Sequence, residues 1–265
     1  MHFRNPNGSR AVKGVRVHGQ YVGEVLQEWS AVIAASGFSA LSGRLLAAVS
    51  AVRGEVIDVA EHAVETPKGK LSIYTFASPD EIRRLSLDRQ FGEHTSYRSL
   101  YTRGESLIRR AAEEDTNVVL AVSDKENIIG FGVLANPDPD QRWARLDPRV
   151  MMEVKAVEVT RDWRQIGVGS LLVKGMLSHP KVEEKIIYFV GFTWIWDLKW
   201  RKMSASKYRK MMIRLFQPFQ FNECKTNEPN ICLDADNLFM CRIGKNISDR
   251  LLYDFKWLLF GVYPP

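Results

Sequence analysis

The sequence predicts a mixed α/β protein (α+β), with one central sheet of parallel and antiparallel strands flanked by helices. Three observations carry that reading. From residue 66 onward, short apolar runs alternate with amphipathic helical segments. Two of the runs, 117–122 and 128–134, are separated only by Ser123 and the turn Asp124-Lys125-Glu126-Asn127 and read as a hairpin. Between 151 and 178 a strand passes through a glycine turn directly into a helix. A length of 265 residues favours one domain and at most two. With 45% hydrophobic and 26% charged residues, the chain has enough apolar material for a core and lies far from a disordered composition.

The elements follow in order. Residues 1–65 are rich in Ala, Ser and Gly, with weak helical periodicity around 25–35 and 41–52. They are expected to form an N-terminal extension, helical or partly disordered, whose role the residues do not disclose. Its opening, Met1 to Ser9, is too polar for an export signal. The stretch 31–52 is broken by Gly37, Gly43 and Arg44, whereas a spanning helix needs roughly 20 strongly apolar residues. The turn-like Thr66-Pro67-Lys68-Gly69-Lys70 marks the boundary to the domain expected over 66–265.

After it come a period-two strand at 71–76 and a helix started by Ser78-Pro79-Asp80-Glu81, with proline at the first helical position. A helix over 98–114, the hairpin already described and a polar, proline-rich loop over 137–148 follow. Then come a strand at 151–160, a helix from Gly167 to about 178, and an apolar, aromatic strand at 186–194. A long basic helix over 197–216, a strand at 238–243 and a terminal helix from Ser248 complete the chain.

Lys and Arg number 37 against 31 Asp and Glu, a net charge of +6. No long Lys/Arg run accompanies this excess, so it points to anionic ligands and not to nucleic acid. The three cysteines, Cys224, Cys232 and Cys241, form no C-x-x-C pair. Their odd count and spacing predict free thiols without a disulfide framework or metal site, which suits a reducing cytoplasm. No membrane partner is expected, and the sequence does not set the oligomeric state.

The most informative stretch is Val157-Glu158-Val159-Thr160-Arg161-Asp162-Trp163-Arg164-Gln165-Ile166-Gly167-Val168-Gly169-Ser170. Gly167 and Gly169 have no side chains, so the backbone N–H groups of Gln165, Ile166, Gly167, Val168, Gly169 and Ser170 can approach a ligand at a helix N-terminus. Free amides and the positive end of the helix dipole suit phosphate there. The chain lacks the P-loop Gly-x-x-x-x-Gly-Lys-Ser/Thr, and Leu172 stands where a dinucleotide fingerprint needs its third glycine.

Arg-x-x-Gly-x-Gly after a Val-x-Val strand resembles motif A of the GCN5-related N-acetyltransferases (GNAT), in which this loop cradles the pyrophosphate of acetyl-CoA. A narrower resemblance rests on Asn136-Pro137-Asp138-Pro139 with Arg142-Trp143, Trp196-Asp197-Leu198-Lys199, Tyr208-Arg209-Lys210-Met211-Met212 and Arg242-Ile243-Gly244-Lys245-Asn246. These look like the acetoin-utilization (AcuA-type) protein acetyltransferases over residues 66–265. The resemblance implies a GNAT fold, acetyl-CoA as co-substrate without a metal, and a protein acceptor. In that family the acceptor is the active-site lysine of AMP-forming acetyl-CoA synthetase, which acetylation inactivates. Two departures stand out: Gln165 replaces a glycine common in relatives, and 217–220 lacks a glycine pair after the long helix.

The resemblance also places the chemistry. Glu153 is the first candidate for general base. By strict alternation it shares a face with Val157 and Val159, while Glu158, the second candidate, faces away unless a β-bulge intervenes. Tyr208 is the candidate proton donor to the leaving thiolate. The backbone of Val157 and Val159 is expected to pair with the pantetheine arm, and Arg164 to face the phosphates. With no Cys-His nucleophile apparent, direct transfer in a ternary complex is expected. Acetylation of a small amine, or non-catalytic acyl-CoA sensing, would use the same loop and stays open. Phe192, Trp194, Trp196 and Trp200 read mainly as core, and the basic run from Lys199 to Lys210 as a solvated helix face or, equally, as an attractor of an acidic partner surface or of the coenzyme's 3′-phosphate.

Overall fold

Strand β1 (His62–Thr66) turns back into β2 (Gly69–Tyr74), so the turn expected at 66–70 is the tip of a hairpin with Thr66 opposite Gly69. In this computed structural model the described residues are 62–93, 101–124, 126–146 and 149–262, all within one unit, Val56–Pro265. Most of the expected extension, residues 1–61, lies outside them.

Helix α1 (Pro79–Arg84) starts where predicted. Ser78 and Glu81 close a reciprocal capping box that satisfies two amide donors the first turn leaves open. A two-residue strand, β3 (Ser86–Leu87), and helix α2 (Gly104–Ala111) follow. The helix is shorter than its predicted span of 98–114. Strands β4 (Asn117–Ser123) and β5 (Asn127–Ala135) form the predicted hairpin. Then come β6 (Met151–Val159), helix α3 (Val168–Met176) and β7 (Ile186–Gly191).

The basic helix α4 covers only Ala205–Phe216, because Arg201 and Lys202 take left-handed backbone conformations that an α-helix cannot contain. Ser204 caps its start by accepting from the Lys207 amide. Strands β8 (Asn222–Glu223) and β9 (Leu238–Ile243) and helix α5 (Asp249–Leu258) end the described chain.

The sheet runs β1-β2-β4-β5-β6-β7-β9-β8, with β3 joined to β5. Its neighbours are antiparallel except β3 with β5 and β6 with β7. One face carries the larger core, in which Val119, Met152 and Ile187 meet Leu172 and Met176 of α3 and Met212 and Phe216 of α4. The opposite face packs Phe131 and Val133 against Ile82 of α1 and Leu107 of α2. Helix α3 lies so close that a Cβ at Gly175 would sit 2.7 Å from Val119 Cγ1. Val119 is fully buried and its β-branched side chain has little rotamer freedom. Gly175→Ala should therefore cost about 1–3 kcal/mol in overpacking. This exceeds the roughly 1 kcal/mol that alanine gains in helix propensity. Urea denaturation should show a net loss of stability.

One expectation about the cysteines is corrected. Antiparallel pairing of β8 with β9 brings Cys224 to Cys241, with Cα atoms 6.4 Å apart, and the two are joined in a disulfide. Cys232 alone stays free and exposed. No described helix is long and apolar enough to cross a membrane.

Candidate active site

Strands β6 and β7 begin as neighbours and then part. Their pairing runs from Met151–Ile186 to Glu153–Tyr188 and stops there, although β6 continues to Val159. Its outer segment, 154–159, keeps β5 on one side and has no strand on the other. The gap so opened leads into a cleft of about 260 Å³ between the end of β6, the start of α3 and the flank of α4.

The glycine turn closes one end of this cleft. Gln165 and Gly167 both take positive φ, 67° and 92°, which turns the chain sharply into α3. A side chain disfavours that conformation by about 1–2 kcal/mol, which is why a glycine suits either position and why glutamine at 165 carries strain. The first amides of α3 have no carbonyl one turn earlier to receive them. Gly167, Gly169 and Ser170 line the cleft beside them. A Cβ at Gly167 would meet nothing within 4 Å, so the space above the turn is open.

Arg164 departs from its expected role. Its guanidinium does not project freely toward a phosphate. Nη1 donates to Asp197 Oδ2 at 2.7 Å, Nε donates to the Val159 carbonyl at 2.8 Å, and the group lies 4.8 Å from the centre of the Trp200 ring. The cause is Asp197, a fully buried carboxylate that needs cationic partners. Arg161 supplies the second pair, through Nε at 2.9 Å and Nη2 at 2.6 Å. Burial works against the charge on Asp197, but the hydrogen bonds from Arg161 and Arg164 prevail and hold its carboxyl below the usual range. One carboxylate thus ties together the strand end, the glycine turn and the segment before α4. The Val159 carbonyl, expected to face a pantetheine arm, is already engaged by Arg164.

Tyr208 stands where expected, on α4 at the junction of the cleft and a smaller cavity inside the β6–β7 gap, lining both. Its ring stacks on Trp196 at 5.1 Å, and its hydroxyl accepts from the Asp197 amide. Burial raises its pKa above the ordinary tyrosine value, with Arg164 opposing the shift.

Glu153 is placed differently from the expectation of strict alternation, whereas Glu158 faces away from Val157 and Val159 as expected. A register shift opposite Val133 and Leu134 puts a bulge into β6, with Val154 and Ala156 as the neighbouring partners. Val154, Val157 and Val159 consequently pack toward α3 and α4, while Ala156 packs toward α1 and α2. Glu153 pairs with Ala135 and Glu158 with Phe131, both residues of the α1/α2 face. So Glu153 lies opposite to Val157 and Val159, on the same face as Glu158.

There Glu153 accepts from the Tyr188 hydroxyl at 3.1 Å and is paired with Lys155 at 2.6 Å. Lys155 in turn reaches Asp138 at 3.0 Å. Glu153 lines a cavity of about 450 Å³ with Tyr188, Gln141, Trp143 and Phe192. Glu158 is nearly buried and borders both the cleft and the gap. Cleft and cavity therefore open on opposite faces of the sheet, with the splayed strands between them.

Sequence reasoning missed Asp197, Lys155 and Tyr188 as parts of the site. A signal for the first exists, since an aspartate inside Ile195-Trp196-Asp197-Leu198 must find partners if the run is buried. The aromatic cluster divides: Trp196 is buried as expected, whereas Trp194 is 64% exposed. The basic stretch is largely exposed, as predicted.

No protein-family model matches the chain. It is 28% identical over 197 residues to the acetoin utilization protein AcuA of Bacillus subtilis (strain 168), covering 74% of this chain and 92% of that protein. The same figures hold for AcuA of Bacillus licheniformis. A crystal structure of an acetoin utilization protein from Exiguobacterium sibiricum 255-15 matches with a TM-score of 0.69 at 26% identity, over 76% of this chain and 93% of that one. The splayed parallel pair, the glycine turn at the head of α3 and these likenesses agree: the chain is similar to the acetoin utilization proteins over about three quarters of its length and has the GNAT fold.

Proposed function

We propose that this chain, through residues 66–265, is an N-acetyltransferase that moves an acetyl group from acetyl-CoA to a protein lysine, the active-site lysine of AMP-forming acetyl-CoA synthetase. The observation that carries the reading is the β6–β7 gap, which joins a cleft headed by open helix amides to a cavity holding a carboxylate on the opposite face. The residues present fit the coenzyme. Amides from Gln165 to Ser170 suit its pyrophosphate, the unpaired edge of β6 near Val157 suits an extended arm, and Met211 and Leu215 give the cleft an apolar wall. Arg164 serves by fixing the turn and not by gripping phosphate.

Bound acetyl-CoA supplies the acetyl group as a reactive thioester. The chain must supply a neutral amine, and only about four lysines in ten thousand are neutral at pH 7. Glu153 takes the proton from the incoming ammonium, in competition with Lys155. Tyr208 donates its hydroxyl proton to the departing sulfur. Binding both partners at once from opposite faces requires no acyl-enzyme.

The test is transfer of labelled acetyl to purified acetyl-CoA synthetase, with polyamines and amino sugars alongside. Labelling of the synthetase with matching loss of its activity is the expected result; labelling only of small amines would overturn the acceptor. Glu153→Gln should lower kcat about 10²–10⁴-fold with unchanged acetyl-CoA affinity. A normal rate and pH profile would remove Glu153 as base and shift the role to Glu158.

A further inference from the structure

The flank of α4 carries a feature that the transfer chemistry does not use. Lys207, Lys210 and Arg214 project from one side of the helix at i, i+3 and i+7 and line a groove of about 370 Å³. Gln165 and Met211 border this groove and the coenzyme cleft alike, so the groove begins where the glycine turn ends. Among the described residues the three cations have no carboxylate partner. Arg209, on the same helix, pairs with Glu223. Like charges three and four residues apart destabilise a helix. A stripe of this kind costs the empty protein stability, which a bound anion would offset.

From this we infer that the groove is a phosphate subsite, and that its ligand is the 3′-phosphate on the coenzyme's adenosine. The inference rests on the coenzyme reading above. A ligand held by its pyrophosphate at Gly167 has its nucleotide end at the mouth of the cleft, where Gln165 leads into the groove. A dianionic phosphate there meets three uncompensated charges, whereas a ligand without it leaves them facing one another.

The experiment is calorimetric binding of acetyl-CoA and of 3′-dephospho-acetyl-CoA to the full chain and to a Lys207→Ala, Lys210→Ala, Arg214→Ala variant. Exposed ion pairs of this number predict a preference for acetyl-CoA of about tenfold. That preference should shrink with added salt and disappear in the variant. The variant should melt at or above the temperature of the unaltered protein when both are empty. Equal binding of the two ligands by the unaltered protein overturns the subsite while leaving the coenzyme reading intact; binding of neither overturns both. A variant that keeps the tenfold preference but loses transfer to a protein acceptor would assign the stripe to an acidic partner surface instead.

Discussion

Asp197→Ala is expected to destabilise the protein by about 3–5 kcal/mol, the usual cost of removing one member of a buried ion-pair network. The carboxylate is wholly buried and accepts from two guanidinium groups. Its removal takes from Arg161 and Arg164 the carboxylate they share. At about 2–4 °C per kcal/mol for a chain of this size, the melting temperature should fall by about 6–20 °C. The loss should extend beyond stability. Arg164 fixes the Val159 carbonyl and stacks over Trp200, and the Asp197 amide holds the Tyr208 hydroxyl. Asp197→Asn keeps the shape and one acceptor oxygen, so it should fold better yet bind acetyl-CoA less tightly.

The pH dependence has a definite sign. The folded pKa of Asp197 lies below its unfolded value, so its stabilisation is complete above the unfolded value of about 3.9 and disappears as pH falls through the folded one. In Asp197→Asn this acid-side component should be missing from denaturation curves. An Asp197→Ala protein with unaltered melting temperature would refute the clamp.

Much of this architecture was legible in the chain, and the exceptions share a cause. Strands β4, β5, β6 and β7 declare themselves through apolar runs, and α3 through its glycine turn, because each signal is local. The face of Glu153 is not local. A bulge between Val154 and Ala156 reverses the parity that alternation predicts, and no residue type marks it. Asp197 gains its role from arginines 33 and 36 residues away, and the Cys224–Cys241 link depends on a two-residue strand too short to show a pattern. The glycines missing near 165 and 217–220 mislead in the same way. Gln165 and Gln220 both adopt the left-handed conformation, each with φ of 67°, so the backbone geometry survives the substitution. The loop's shape is therefore kept by tertiary contacts such as the Asp197 clamp, which a residue pattern cannot display.

Tyr208→Phe should leave acetyl-CoA affinity within about twofold and reduce kcat about 10²–10⁴-fold, the range for a positioned proton donor. Phenylalanine preserves the stack on Trp196 and the wall shared by cleft and gap, so only the hydroxyl is tested. Burial raises the hydroxyl's pKa above the ordinary 10, which keeps its proton in place throughout the working range. The unaltered enzyme should therefore show no loss of kcat from this group until pH exceeds about 10. A donor also matters most when the leaving group is basic. A thioester with a more acidic thiol should depend less on Tyr208, and the deficit of the phenylalanine variant should narrow with it. A uniform deficit across thioesters, accompanied by weaker coenzyme binding, would make Tyr208 a packing residue beneath Asp197 and leave the sulfur to be protonated by water.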